Sequence, residues 1–347
     1  MALRLDDLAA VLARLLETMI TSVRVVSVGE SALVVRAWAE GIGPIVAKHQ
    51  TAGPDYATAE RAALSLISRA RCEAVPRVLA AGRTVWVLED LGDHSLVELL
   101  VHGDPATARQ QLVRAAGRLG EAHATSTRLV ERYLRAEGPD RRAVEAEQLE
   151  SLLPRLVRLL TPLRIKVPKE MAETMEEVAT RLAMPGPWST LTMGDPHPGN
   201  VVLAERGPVW VDWEKGAVRH AMYDAVGFRF GPTYPAEVVD EMEQAWRDAF
   251  STACPVVADD AVFLRERRLM AAQRAWLTVA GMLPTALEQD VELMGGLTAR
   301  QALLNTLEQA VALELGEPAP RLLQALRDRW PDTAPSVSPF TALEASA

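Results

Sequence analysis

The chain has 347 residues, 49% of them hydrophobic and 24% charged, with a formal net charge of −9. That length supports a substantial core in two lobes or domains, and the acidic balance excludes a nucleic-acid partner held by phosphate charge. The two cysteines, Cys72 and Cys254, stand far apart without metal-ligand spacing, which excludes a disulfide framework and fits a reduced, cytoplasmic setting.

Leu8, Val11, Leu12, Leu15, Leu16 and Met19 recur at helical spacing behind Asp6 and Asp7. They predict an amphipathic N-terminal helix and not a signal peptide. No apolar run approaches the roughly 20 residues that span a bilayer, so no membrane partner is expected. Residues 23–28, 32–39 and 44–49 are β-prone runs separated by turns containing Gly29, Gly41 and Gly43, and they predict three antiparallel strands. Residues 56–68 have helical spacing, and 75–80 and 84–88 read as two further strands. From Ser95 onward helices dominate, beginning with 105–126, where Leu112, Ala115, Ala116, Leu119 and Ala122 mark one face. A charged helical insertion is expected over 129–185, broken at Pro139, Pro154, Pro162 and Pro168. Short β-type runs follow at 201–203 and 209–212, then helix again to about residue 330. The stretch 331–347, rich in Pro, Ser, Thr and Ala, is expected to be disordered.

Two residue types are scarce: there are four lysines (Lys48, Lys166, Lys169, Lys215) and two asparagines (Asn200, Asn305). One in a chemically meaningful place therefore carries extra weight. Asn200 closes the run Met193-Gly194-Asp195-Pro196-His197-Pro198-Gly199-Asn200, and a second acid follows in Val211-Asp212-Trp213-Glu214. Phosphoryl transfer needs such parts. One Asp accepts the proton of an attacking hydroxyl, while an Asn and a second Asp hold Mg²⁺ on the phosphates. An ordinary turn would account for Gly-Asp-Pro and Pro-Gly-Asn, but not for the asparagine on the spacing and the acid beyond it.

This stretch resembles the catalytic loop and metal-binding segment of the aminoglycoside phosphotransferase and choline kinase superfamily. The usual pattern there is His-Gly-Asp-x-x-x-x-Asn, then an aliphatic residue and Asp; Met193 stands in the place of the His. The resemblance implies an α+β, protein-kinase-like, two-lobed fold. Residues 1–91 would form a nucleotide-binding lobe of a small antiparallel sheet and one helix, and 92–330 a larger, mainly α-helical lobe with the catalytic loop. It implies Asp195 as catalytic base, Asn200 and Asp212 as magnesium ligands, Glu214 as a neighbouring acid and Asp224 as a structural one. Lys48 resembles the strand Lys that contacts the α/β-phosphates, and Glu60 the helix acid that pairs with it. Taken singly, a strand Lys and a helix Glu would be ordinary solvated residues. Gly29 and Ser31 would cover the triphosphate from the first hairpin, and backbone from Glu89 to Leu91 would read the purine of ATP or GTP. Trp86 and Val87 would lie near the position that sets pocket depth. His123 matches a family His expected to pack in the core. The tripeptide His102-Gly103-Asp104 spells the family signature, but Arg109 occupies the amide position, so a turn before a Pro105 helix start is expected. No Walker-type or GxGxxG motif is present.

In this family the acceptor is bound mainly by the insertion and the C-terminal helices, here about 129–185 and 235–315. The second region carries Asp240, Glu241, Glu243, Asp248, Asp259, Asp260, Glu288, Asp290 and Glu292, which either hold an amine-bearing antibiotic or are solvated helix surface. Trp246 and Trp276 are read first as core and second as an aromatic platform. The expected function is transfer of the γ-phosphate of Mg-bound ATP or GTP to a hydroxyl of an antibiotic. A metabolic kinase for choline, ethanolamine, an amino alcohol or a sugar is the first alternative, and a nucleotide-binding pseudokinase regulator the second. The partners expected are a nucleoside triphosphate and a small-molecule hydroxyl acceptor; the sequence sets no oligomeric state.

Overall fold

Alternation along the strands decides how the N-terminal part folds. The computed structural model describes residues 5–344 except 30, 52–53, 137, 231–233, 294–296 and 335–339. Helix α1 (Leu5–Leu16) buries Leu8 and Leu12, while Met19, expected on the same stripe, lies beyond the helix and is 58% exposed. Strands β1 (Ile20–Val28), β2 (Ala32–Ala39), β3 (Gly43–Gln50), β4 (Val78–Ala81) and β5 (Val85–Glu89) form one antiparallel sheet in the order β1-β2-β3-β5-β4. Helix α2 (Pro54–Arg69) connects β3 to β4. Val35, Ala37, Ile45, Ala47, Val85 and Val87 pack under α1 with Leu8 and Leu12. On the other face, Trp86 and Leu88 join Ala63, Leu64 and Ile67 of α2. Lys48 is paired with Trp86 across the β3–β5 ladder, so it shares that second face.

The rest is mainly helical. In chain order it comprises α3 (Leu96–His102), α4 (Pro105–Thr127), α5 (Val130–Arg135), α6 (Arg142–Leu160) and α7 (Lys169–Ala183). Four short strands follow: β6 (Ser189–Thr192), β7 (Val201–Ala204), β8 (Gly207–Trp210) and β9 (Ala217–His220). Then come α8 (Met222–Ala225), α9 (Gly227–Phe230), α10 (Ala236–Ser251), α11 (Asp260–Glu288), α12 (Ala299–Ala312), α13 (Pro318–Arg329) and α14 (Thr341–Glu344). Trp246 and Trp276 are both 0% exposed, which makes them core. Asp104 is the N-cap of α4: its carboxylate accepts the Thr107 N–H at 2.9 Å, and Pro105 takes the first turn, where a missing donor costs nothing.

Two expectations are corrected. Pro154 does not break the insertion; it lies inside α6, where the carbonyl it deprives of a donor belongs to exposed Glu150 and can be met by water. The segment 331–347, expected to be disordered, is partly docked, with 335–339 and 345–347 outside the described residues. Phe340, Ala342 and Leu343 are buried, Phe340 stacks on Tyr234 at 5.5 Å, and Thr341 donates to the Val101 carbonyl at 2.7 Å. Three apolar side chains in polar surroundings suffice to seat α14 against α3 and α4. Among the described residues no helix is long and apolar enough to cross a membrane.

Candidate active site

Two short ladders deliver the chemistry-bearing loops to one place. The β6–β9 ladder ends with Thr192 opposite Ala217, which sets residues 193–195 beside 213–216. The β7–β8 ladder starts with Val201 opposite Trp210, and the Val211 N–H donates to the Asn200 carbonyl at 2.9 Å. Asn200 and Asp212 are thereby held side by side. Asp212 has φ 62°, a left-handed conformation that Asp tolerates better than most residues. Gly194 is required by its own φ of 84° and by space: a Cβ there would lie 2.6 Å from the Lys215 carbonyl. Both Gly194 and Met193 donate backbone N–H groups to the buried Asp224 carboxylate, at 3.0 and 2.7 Å. His123 Nδ1 accepts from the Trp246 indole N–H at 3.0 Å, so its proton sits on Nε2 and is donated to Asp224 at 3.1 Å. Asp224 thus anchors the catalytic loop to α4 and α10, and Met193, fully buried, packs in the core where the family has His.

The sheet contributes the other half. Lys48 Nζ makes ion pairs at 2.6 Å with both Glu60 of α2 and Asp212, and Glu214 lies 3.9 Å away. Burial alone would lower the Lys48 pKa, but Glu60 and Asp212 outweigh it and raise it. Burial, with like charge from Asp212 and Glu214, pushes Glu60 up to about 7 despite Lys48. Three carboxylates around one ammonium leave a surplus of negative charge, which a hard divalent cation would neutralise. The Asn200 amide nitrogen donates to the Asp195 carbonyl at 3.1 Å, which leaves its oxygen for such an ion, and Asp212 keeps one oxygen beyond the one on Lys48. An amide oxygen and a carboxylate oxygen suit Mg²⁺, which takes few protein ligands and keeps waters and phosphates.

The remaining expected residues are placed as follows. Ser31 Oγ donates to Glu214 at 2.7 Å, closing the first hairpin over the acidic cluster. Gly29 is exposed, a Cβ there would make only ordinary contact, and Glu30 lies outside the described residues. The Glu89 N–H is taken by the Arg77 carbonyl at 3.0 Å, and its carboxylate by Arg77 at 2.7 Å and Arg206 at 2.5 Å. Glu89 therefore ties the strand end to the β7–β8 turn, and its own N–H is not free for a purine. Asp90, next to Leu91, is paired with Arg36 of β2 at 2.6 Å.

One residue escaped the sequence reading. Lys215 Nζ lies 2.6 Å from Asp195 Oδ2, and that bond raises its pKa. The signal was present: the same scarcity that singled out Lys48 applied to a lysine three residues after Asp212. Its backbone is fixed by Arg219, which donates to the Lys215 carbonyl and to Thr192 at 3.0 Å each and pairs with Glu145 of α6 at 2.5 Å. The acids of the C-terminal helices are largely engaged internally. Asp240 and Glu243 hold Arg229, Glu241 holds Arg109, Asp260 holds Arg247, and Asp259 caps α11.

Residues 22–256 match the model of the phosphotransferase enzyme family. The chain belongs to that family. It is similar in fold to a choline/ethanolamine kinase family protein from Mesorhizobium loti, with 18% identity, TM-score 0.53, and 93% of this chain and 99% of that one covered. It is also similar to the macrolide 2'-phosphotransferase MphH from Brachybacterium faecium, with 19% identity and TM-score 0.50, covering 81% and 93% of the two chains. A third is a thermostable mutant of aminoglycoside phosphotransferase APH(4)-Ia in ternary complex with ADP and hygromycin B, with 11% identity, TM-score 0.50 and coverage of 90% and 100%. No curated protein matches the chain. Family and fold make this chain a member of the phosphotransferase enzyme family with a mixed α+β, kinase-like architecture.

Proposed function

We propose that this phosphotransferase moves the γ-phosphoryl group of ATP or GTP to a hydroxyl of an antibiotic, with Asp195 as base. The observation that carries the reading is the joining of Lys48, Glu60, Asp212, Asn200 and Asp195 into one constellation by two ladders and one ion-pair cluster. A pseudokinase would have no use for the complete set. Residues 1–91 would carry the nucleotide and 92–330 the transfer site.

Lys48, steadied by Glu60, neutralises the α/β-phosphates. Asp195 accepts the acceptor's hydroxyl proton as the oxygen forms its bond to the γ-phosphorus. The bond from that phosphorus to the bridging oxygen breaks, and the nucleoside diphosphate leaves with the electron pair. Asn200 and Asp212 would hold Mg²⁺, which supplies charge neutralisation on the phosphates. Lys215 keeps Asp195 in place and adds a cation beside the transferred group. Positioning and preset charge provide most of the acceleration.

A mass-spectrometric screen tests this, with ATP or GTP against pooled antibiotics, choline, ethanolamine and sugars. A phosphorylated antibiotic is expected, with turnover about 10²–10⁴-fold lower in Asp195→Asn. Phosphorylation confined to choline or a sugar would replace the antibiotic reading with a metabolic one, which the Mesorhizobium likeness favours. Undiminished turnover in the variant would remove Asp195 from the base role.

A further inference from the structure

One face of α11, together with Tyr223 and Val226, borders an open cleft of about 300 Å³. Its polar lining is Tyr223, Gln273, Arg274 and Thr278; its apolar lining is Val226, Leu277 and Met282, with Gly281 at one wall. The cleft is coupled to the transfer site through short links. The Tyr223 ring lies 4.8 Å from the Arg219 guanidinium, Arg219 holds the Lys215 backbone, and Lys215 reaches Asp195. The residue after Tyr223 is Asp224, which anchors the loop itself.

Three features mark a binding surface. Gln273 lines the cleft, and its amide, which is not sealed from it, makes no hydrogen bond among the described residues. An amide that opens on a cleft and is not used within the fold is free to bond an occupant. Arg274 is half-buried and has no carboxylate partner among the described residues, although most arginines around it do. Gly281 lies inside a 29-residue helix, a position that disfavours glycine, and a Cβ there would meet nothing within 4 Å. Packing does not demand this glycine, and its missing side chain leaves that wall open.

We propose that this cleft is the acceptor subsite and that it takes a hydroxylated amphipathic molecule, neutral or anionic, excluding polycations. A carbonyl or carboxylate oxygen would meet Arg274 and the Gln273 amide, and an apolar face would lie on Leu277 and Met282. A polyamine would face Arg274, and Asp240, Glu241, Glu243 and Asp260 of the same region are already held by Arg229, Arg109 and Arg247. The inference rests on Asp195 as base, to which the acceptor hydroxyl gives its proton as the phosphoryl group arrives.

The experiment sorts hydroxylated compounds by charge: kanamycin for polyamines, choline for quaternary amines, chloramphenicol for neutral amphiphiles and mupirocin for carboxylates, each with wider pools of its class. Phosphorylated product is expected in the neutral or carboxylate pools alone. Gly281→Phe, checked for folding by its melting curve, should raise the acceptor KM about tenfold or more while the nucleotide KM stays put. Arg274→Glu should do the same for carboxylates and shift preference towards amines. Product from kanamycin or choline, product only in those pools or none in the neutral and carboxylate pools, or an acceptor KM indifferent to both substitutions would overturn the assignment. Product retained by Asp195→Asn would instead overturn the base assignment, leaving the KM data to judge the cleft.

Discussion

At the scale of single residues, the second lysine is the sharpest feature. Lys215 and Asp195 are 51% and 40% exposed, so water screens their pair and its worth to folding is at most about 1 kcal/mol. Its value lies in placement, because Arg219 and Gly194 fix the backbone from which the ammonium extends. Lys215→Met should therefore melt close to wild type while kcat falls on the order of tenfold or more, measured at saturating nucleotide and acceptor. Unchanged kcat would reduce Lys215 to surface charge. Asp195, Asn200 and Asp212 were legible in the sequence because loop spacing and residue scarcity coincide there. Lys215 was not, since its meaning depends on a ladder that brings 213–216 beside 193–195.

At the scale of elements, α11 shows how a helix can be shaped by what it borders. Gly281→Ala keeps the helical backbone and adds a methyl into free space, so it should stabilise the protein by about 0.5–1 kcal/mol in a urea titration. A loss of stability would mean that the wall is closed in solution. Alternation and turn residues made the N-terminal sheet readable, and Pro105 after Asp104 marked the start of α4. Pro154 misled, because a proline can stay in a helix when the carbonyl it orphans faces water. Residues 331–347 misled for the opposite reason: average polarity hides Phe340 and Leu343, and contacts made by a few apolar groups leave no periodic trace.

For the whole molecule, the link between sheet and helical region runs through Glu89. Burial alone would raise its pKa, but hydrogen bonds from Arg206 and Arg77 outweigh that and lower it from 4.5. A carboxylate with a depressed folded pKa adds stability above its unfolded value and loses it as pH falls through the folded one. Wild type should therefore lose melting temperature more steeply than Glu89→Gln below about pH 4.5, with the two curves converging in acid. Parallel curves would show that the clamp does not titrate with folding.

The same clamp gives the β7–β8 hairpin a mechanical character. Arg206 pins its turn to Glu89, to the backbone of Glu73 and Val75, and to Arg114 and Arg118, while Asn200 and Asp212 ride at its open end. So short a ribbon, fastened at one end, would act as a lever, carrying a displacement at the end of β5 to Asn200 and Asp212. Substitutions selected to change the preferred purine should therefore alter the tolerance for Mn²⁺ over Mg²⁺ as well, the two traits drifting together because one rigid bar carries both.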